Sequence, residues 1–260
     1  CRDAIFAARL LLKKRKEHGL ETWVLFLDLV KAFDAISREM LWDVLRLLGC
    51  PAKFVKMIKS LHDKVIIALK KGTATLMVES LAGVRQGGIL GPPLFNLYMV
   101  AVMLTWEKVK ADAGTDHCTL LTDFSGNNWA LSGIPSNTAG DEFSMDHVLC
   151  ADDTEVNENT RADMVTDTRL LAKHLVKFGS NMHVGMPGGK RSKTEFLCVA
   201  KQPARYLNPS TYDDVDLSPF VVDEETGATI PHVIKQRYSR KKTEEACHFQ
   251  HLGSLTDSEL

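Results

Sequence analysis

An apolar run, Trp23-Val24-Leu25-Phe26-Leu27, ends on a carboxylate, Asp28. A run of this length and kind predicts a buried strand. A charge on such a strand is costly unless something pairs it. Much further along, His147 to Val156 reads as a strand, a tight turn at Ala151-Asp152-Asp153 and a strand back. Asp28 and Asp152 are so far apart in the chain that only a fold can bring them together. On these residues alone two readings stay open. One is ordinary: a helix N-cap or buried ion pair at Asp28, and an acidic turn at Asp152-Asp153. The other is a two-metal phosphoryl-transfer site, which needs two or three converging carboxylates.

The rest of the chain frames these elements. Asp3 to Glu17 reads as a helix with Ile5, Phe6 and Leu10 on its apolar face and a basic tail, Lys13-Lys14-Arg15-Lys16. That tail is either a solvated face or a phosphate contact. Ser37 is placed to cap a helix over 38–48, with Met40, Leu41, Val44, Leu45 and Leu48 inward. A second helix over 52–62 points Phe54, Val55, Ile58 and Leu61 inward. Strands at 65–69 and 73–78 follow, joined by Lys70-Lys71-Gly72. A glycine-rich turn then leads into a helix from Pro92 to Val109, since proline suits a first helical turn. The stretch 111–145 has little periodicity and predicts loops with one short strand near Cys118 to Thr122. A helix over 160–178 and a strand over 194–200 come next, and a final strand pair at 249–255 closes the chain. Helices and strands interleave without a regular alternation, which predicts an α+β fold with an antiparallel sheet and helices on one face.

Composition narrows the function only slightly. The chain is 45% hydrophobic and 25% charged with a net charge of -1, ordinary for a globular protein, so any nucleic-acid path must come from local basic patches. The six cysteines form no C-x-x-C pair, which fits free thiols in a reducing compartment, cytoplasm or nucleus. No signal peptide or membrane-length apolar run is present. The chain begins at Cys1 with a helical pattern already running, and reads as part of something longer.

Three stretches carry a resemblance: Phe26-Leu27-Asp28-Leu29-Val30-Lys31-Ala32-Phe33-Asp34, then Gly83-Val84-Arg85-Gln86-Gly87-Gly88-Ile89-Leu90-Gly91-Pro92, then Leu149-Cys150-Ala151-Asp152-Asp153. In this order they resemble motifs A, B and C of reverse transcriptases of non-LTR (LINE-like) retrotransposons. The resemblance implies a polymerase palm of ferredoxin-like type with part of the fingers, the thumb largely absent. It divides the chain into a fingers-proximal helix at 1–22, a palm with fingers elements at 23–200, and an irregular connection to the palm–thumb junction at 201–260. It implies RNA-directed DNA polymerase activity with two Mg2+ ions, Mn2+ being the alternative ion. The partners it implies are an RNA template, a DNA primer and a deoxynucleoside triphosphate.

Residue by residue, Asp28, Asp152 and Asp153 match the metal-binding aspartates, and Lys193 matches the motif D lysine beside the leaving pyrophosphate. Leu29, Phe33, Arg85, Gln86 and Gly87 match positions around the incoming nucleotide; at Phe33 a ring would exclude a 2'-hydroxyl. Cys150, Leu252 and Gly253 match positions along the primer. Asp34 matches a helix-start aspartate and is left out of the catalytic set. The match has departures: Cys150 stands where the family has Tyr or Phe, Gly91 where it has Ser, and His251 where it has Tyr. None removes a metal ligand, but together they suggest drift. The alternatives are a catalytically inactive retroelement remnant that only binds nucleic acid, and an unrelated metal-binding or scaffold domain.

Overall fold

The computed structural model describes residues 2–17, 19–85, 87–115, 119–123, 129–131, 140–150, 153–184, 193–199, 214–216, 233–236, 248–251 and 254–257. They divide into two compact units. The first is Cys1–Asp28, Val109–Lys173 and Met182–Leu260; the second is Leu29–Lys108 and His174–Asn181.

The first unit is built on a six-stranded sheet. The apolar run becomes β1 (Thr22–Leu27), buried at every position. A strand covered on both faces lies inside a sheet, and β1 pairs antiparallel with β8 (Asp153–Glu158) on one edge and β9 (Glu195–Val199) on the other. β7 (His147–Cys150) forms a hairpin with β8, and β10 (Asp214–Asp216) and β11 (Val233–Gln236) extend the far edge, in the order β10-β11-β9-β1-β8-β7. Every pair is antiparallel except β11 with β9, which is parallel. The sheet is therefore mixed at one edge, where a wholly antiparallel one was expected.

The helix α1 (Arg2–Glu17) covers this sheet, laying Leu12 on Val24, Phe26, Leu197 and Val199, and Ala8 on Val148. Arg15, read as part of a solvated or phosphate-facing tail, is buried instead; its Nε donates to Thr22 Oγ1 at 2.7 Å. The stretch read as mostly loop holds three strands rather than one: β4 (Thr119–Asp123), β5 (Trp129–Leu131) and β6 (Gly140–Ser144), ordered β5-β4-β6. A last antiparallel pair, β12 (His248–His251) with β13 (Ser254–Asp257), forms where a final strand pair was expected.

The second unit carries α2 (Ala32–Ala35), α3 (Arg38–Leu47), α4 (Ala52–His62) and the hairpin β2 (Ile66–Lys71) with β3 (Ala74–Glu79). The long helix α5 (Gly91–Ala113) and α6 (Arg161–Lys177) have residues in both units. Ser37 caps α3 as expected, its side chain accepting from the Met40 N–H at 3.4 Å. α3 buries Trp42 beside Leu41, Val44 and Leu45, while Leu48, expected inward, follows the helix and stays exposed. α4 buries only Val55, Ile58 and His62, so Phe54 and Leu61 also face outward against expectation. In the hairpin the ladder runs through Lys70 and Lys71, which pair with Thr75 and Ala74, so the turn is Gly72-Thr73. Gly72 takes φ +61°, the left-handed conformation a tight hairpin turn asks of its first residue.

Candidate active site

In the first unit the site starts from the register of β1. Leu27 pairs with Thr154. Asp28 is the residue after Leu27 and Asp153 the residue before Thr154, so both leave neighbouring strands at the same end of the sheet. Asp152, expected in a turn at this end, lies outside the described residues.

Asp28 is held by its backbone. Its N–H donates to Thr194 Oγ1 at 3.1 Å, and its carbonyl accepts from the His183 N–H at 2.7 Å and from the Thr194 hydroxyl at 3.2 Å. With those bonds made by the main chain, the carboxylate projects into solvent, and its side chain is 42% exposed. Lys193, next to Thr194, brings Nζ to 3.9 Å from Asp28 Oδ2. An exposed pair of that length adds little stability. The arrangement sets a cation beside a carboxylate without neutralising it through burial. Asp153 is exposed as well, whereas every other residue of β8 is buried. Glu155, two positions along, has its carboxyl pushed up to about 7 by burial, against the opposing hydrogen bond from Asn157. Exposed aspartates on adjacent strand ends supply the hard oxygen donors that Mg2+ or Mn2+ takes, so these residues fit a divalent ion.

In the second unit the motif A turn and the motif B loop are bonded to each other. Lys31 takes φ 49° and starts α2 without a side-chain cap. The Gly83 N–H donates to the Ile36 carbonyl at 2.8 Å and the Val84 N–H to the Phe33 carbonyl at 2.9 Å. Gly83 has φ +78°, and a Cβ there would lie 2.7 Å from Asp34 Cα and 2.8 Å from the Phe33 carbonyl oxygen. Only glycine fits. Phe33 is half-buried with its ring 4.5 Å from that of Phe95. Arg85 is exposed, and its N–H lies 3.5 Å from His62 Nε2. Gly91, read as a lost serine, has a structural reason: a Cβ there would meet the Arg85 carbonyl oxygen at 2.7 Å.

Of the residues singled out in the sequence, the structure brings Asp28, Asp153 and Lys193 to one end of the first unit's sheet. Cys150 is the last residue of β7 and pairs with Asp153. Leu29, Phe33, Arg85 and Gly87 belong to the second unit, Leu29 buried and Gly87 exposed. Asp152, Gln86, Leu252 and Gly253 lie outside the described residues.

Sequence reasoning passed over two features here. Arg38, read only as a first helical residue, donates to the carbonyls of His62 (2.9 Å), Ser80 (2.6 Å), Ala82 (3.1 Å) and Gly83 (2.9 Å) and to Ser80 Oγ (2.9 Å). Burial holds its guanidinium below the usual value, against the opposing charge of Asp63. No local pattern marks such a residue. The other feature was legible: between positions 44 and 78 stand seven Lys and Arg residues against one acid, Asp63. All seven are exposed, with Lys53, Lys56 and Lys59 along α4. The net charge of the whole chain concealed this patch.

The profile of the family described as reverse transcriptase (RNA-dependent DNA polymerase) matches residues 3–208. The chain is 31% identical over 106 residues to the retrovirus-related Pol polyprotein from type-2 retrotransposable element R2DM of Drosophila melanogaster, covering 40% of this chain and 10% of that protein. It is 33% identical over 87 residues to the retrovirus-related Pol polyprotein from type-1 retrotransposable element R2 of Bradysia coprophila, covering 34% of this chain and 10% of that protein. The matches thus span about a tenth of the length of these relatives. Among the described residues no helix is long and apolar enough to cross a membrane.

Proposed function

We propose, on the premise that this chain belongs to the reverse transcriptase (RNA-dependent DNA polymerase) family and is a domain of the non-LTR retrotransposon type, that it copies an RNA template into DNA from a primer 3'-hydroxyl. The six-stranded sheet is read as the palm, with the domain bounds 1–22, 23–200 and 201–260. Asp28, Asp152 and Asp153 would hold two divalent ions, which when bound activate the 3'-hydroxyl and stabilise the leaving pyrophosphate. The supporting observation is the register of β1 and β8, which ends at Leu27 and Thr154, one residue from Asp28 and from Asp153, with Lys193 beside Asp28.

The chain's own residues do the remaining work. The Thr194 and His183 bonds to the Asp28 backbone fix a carboxylate without consuming it. Lys193 Nζ gives a proton to the pyrophosphate oxygen that loses its bond to the α-phosphorus. The Phe33 ring, backed by Phe95, bars a 2'-hydroxyl. Arg85, Gln86, Gly87 and Leu29 line the nucleotide, and Cys150, Leu252 and Gly253 follow the primer. The exposed cations of α4 offer phosphate contacts.

The test is extension of a DNA primer on an RNA template by a full-length chain, wild type against Asp28→Asn. Metal-dependent extension by the wild type, lost in the variant, supports the reading. Salt-sensitive primer–template binding by both with no extension, even with Mn2+, identifies an inactive remnant instead.

A further inference from the structure

Lys110, near the end of α5, is fully buried, yet no part of the proposed chemistry uses it. Its Nζ lies 2.6 Å from Glu158 Oε1, 2.8 Å from Asp167 Oδ2 and 4.0 Å from Asp146 Oδ2. These carboxylates are placed with a pattern. Asp146 immediately precedes β7 and Glu158 is the last residue of β8, so they flank the open end of the β7–β8 hairpin. The Asn157 N–H to Asp146 carbonyl bond at 2.7 Å closes that end. Asp167 sits on α6. One ammonium group therefore ties both legs of the hairpin to two helices, at the end opposite Asp153.

We propose that Lys110 is a positioning residue for the carboxylate end of β8: by fixing the root of the β7–β8 hairpin it sets where Asp153 stands relative to Asp28. The inference rests on the polymerase reading.

The lever is short. β7 has four residues, which rise about 13 Å from root to turn. A rotation of about 5° at the root then moves Asp153 by about 1 Å, a displacement that can cost roughly 100-fold in a reaction needing aligned groups. The root also resists charge imbalance. Burial pushes the Glu158 carboxyl up to about 9, against the pull of the Lys110 charge, so the acid depends on its bonded cation. Burial works against the Asp146 carboxylate too, but its bond to His147 and the Lys110 charge hold it down to about 2. Removing the ammonium leaves Glu158 and Asp167 buried together without their shared cation, and the root must rearrange.

The test is Mn2+ binding by the full chain, titrated by electron paramagnetic resonance, which reads the ligands without needing turnover. Wild type should bind and Asp28→Asn should not. Lys110→Met should raise the Mn2+ dissociation constant by roughly 10–100-fold, the range seen when a group supporting a metal ligand is lost. Asp167→Asn, which keeps its shape, should move it in the same direction. Val199→Ala removes core packing at the far end of β9 from Asp28; it should lower thermal stability and leave Mn2+ affinity unchanged. If Lys110→Met does not fold, Asp167→Asn decides. Folded Lys110→Met and Asp167→Asn proteins that bind Mn2+ as the wild type does would overturn the inference while leaving the polymerase reading intact. An equal shift in Val199→Ala would also overturn it, because general loosening would then account for the effect. Binding indifferent to Asp28→Asn would defeat the polymerase reading and this inference together.

Discussion

Replacing Gly83 with alanine perturbs the joint between the motif A turn and the motif B loop. Two costs add. The first is conformational: at φ +78° an L-residue costs about 1–2 kcal/mol. The second is steric: the new Cβ would sit 2.7 Å from Asp34 Cα and 2.8 Å from the Phe33 carbonyl oxygen. Both are backbone atoms, so neither can swing away as a side-chain end would. Forcing a group into such a place costs about 1–3 kcal/mol more. The total is about 2–5 kcal/mol, or a fall in Tm of about 4–20 °C for a chain of this size. Gly72→Ala is the internal control, since Gly72 has φ +61° but nothing within 4 Å of its absent Cβ. It should carry the first cost alone. Differential scanning calorimetry of both variants separates the two. Because Gly83 and Val84 bond to the Ile36 and Phe33 carbonyls, the relief of the clash should also displace Phe33 and weaken discrimination against ribonucleotides. A Gly83→Ala protein no less stable than Gly72→Ala would refute the close-approach argument.

Three more outcomes follow from the structure. Phe33→Ala should increase ribonucleotide incorporation in single-nucleotide extension by a full-length chain; unchanged discrimination would confine Phe33 to packing on Phe95. Arg38→Lys should destabilise the protein by about 2 kcal/mol or more by urea denaturation, because an ammonium cannot reproduce the guanidinium fork that reaches four carbonyls; an unchanged midpoint would show those bonds to be replaceable by water. Glu158 gives a pH dependence: its folded value of about 9 lies above the ordinary 4.5, so the folded chain binds the extra proton and stability falls as pH rises through that window. Above about pH 8, where the similar contribution of Glu155 has largely ended, the slope from Glu158 is at most about 1.4 kcal/mol per pH unit, and Glu158→Gln should flatten it. A slope that persists in Glu158→Gln would assign it to another group.

The elements most legible in the sequence were those with unbroken periodicity or clear punctuation. β1 is a continuous apolar run, α3 has Ser37 before it, and α4 lies between Pro51 and Asp63. The short strands β4, β5 and β6 were not legible as a set, because runs of three to five residues are too short to fix a period. Inward and outward faces were harder than element type. Phe54, Leu61 and Leu48 look like core by hydrophobicity, and their exposure depends on which neighbours cover them. At the candidate site, Asp153, read as part of a tight turn, is the first residue of β8, while Asp28 announced itself as a carboxylate at a strand end. Lys110, Glu158 and Asp167 did not: each looks like an ordinary surface charge until the fold buries all three together. Gly91 shows the reverse error, since a departure that reads as drift is required by the approach of the Arg85 carbonyl.

If Asp28, Asp152 and Asp153 form one two-metal centre, anomalous diffraction from crystals grown with Mn2+, primer–template and a nucleotide analogue will show the ions between them. Two manganese peaks are expected roughly 3.5–4 Å apart, both within bonding distance of Asp28 and Asp152 carboxylate oxygens. Manganese bound elsewhere, or Asp28 and Asp152 carboxylates on opposite faces of the sheet, would contradict it.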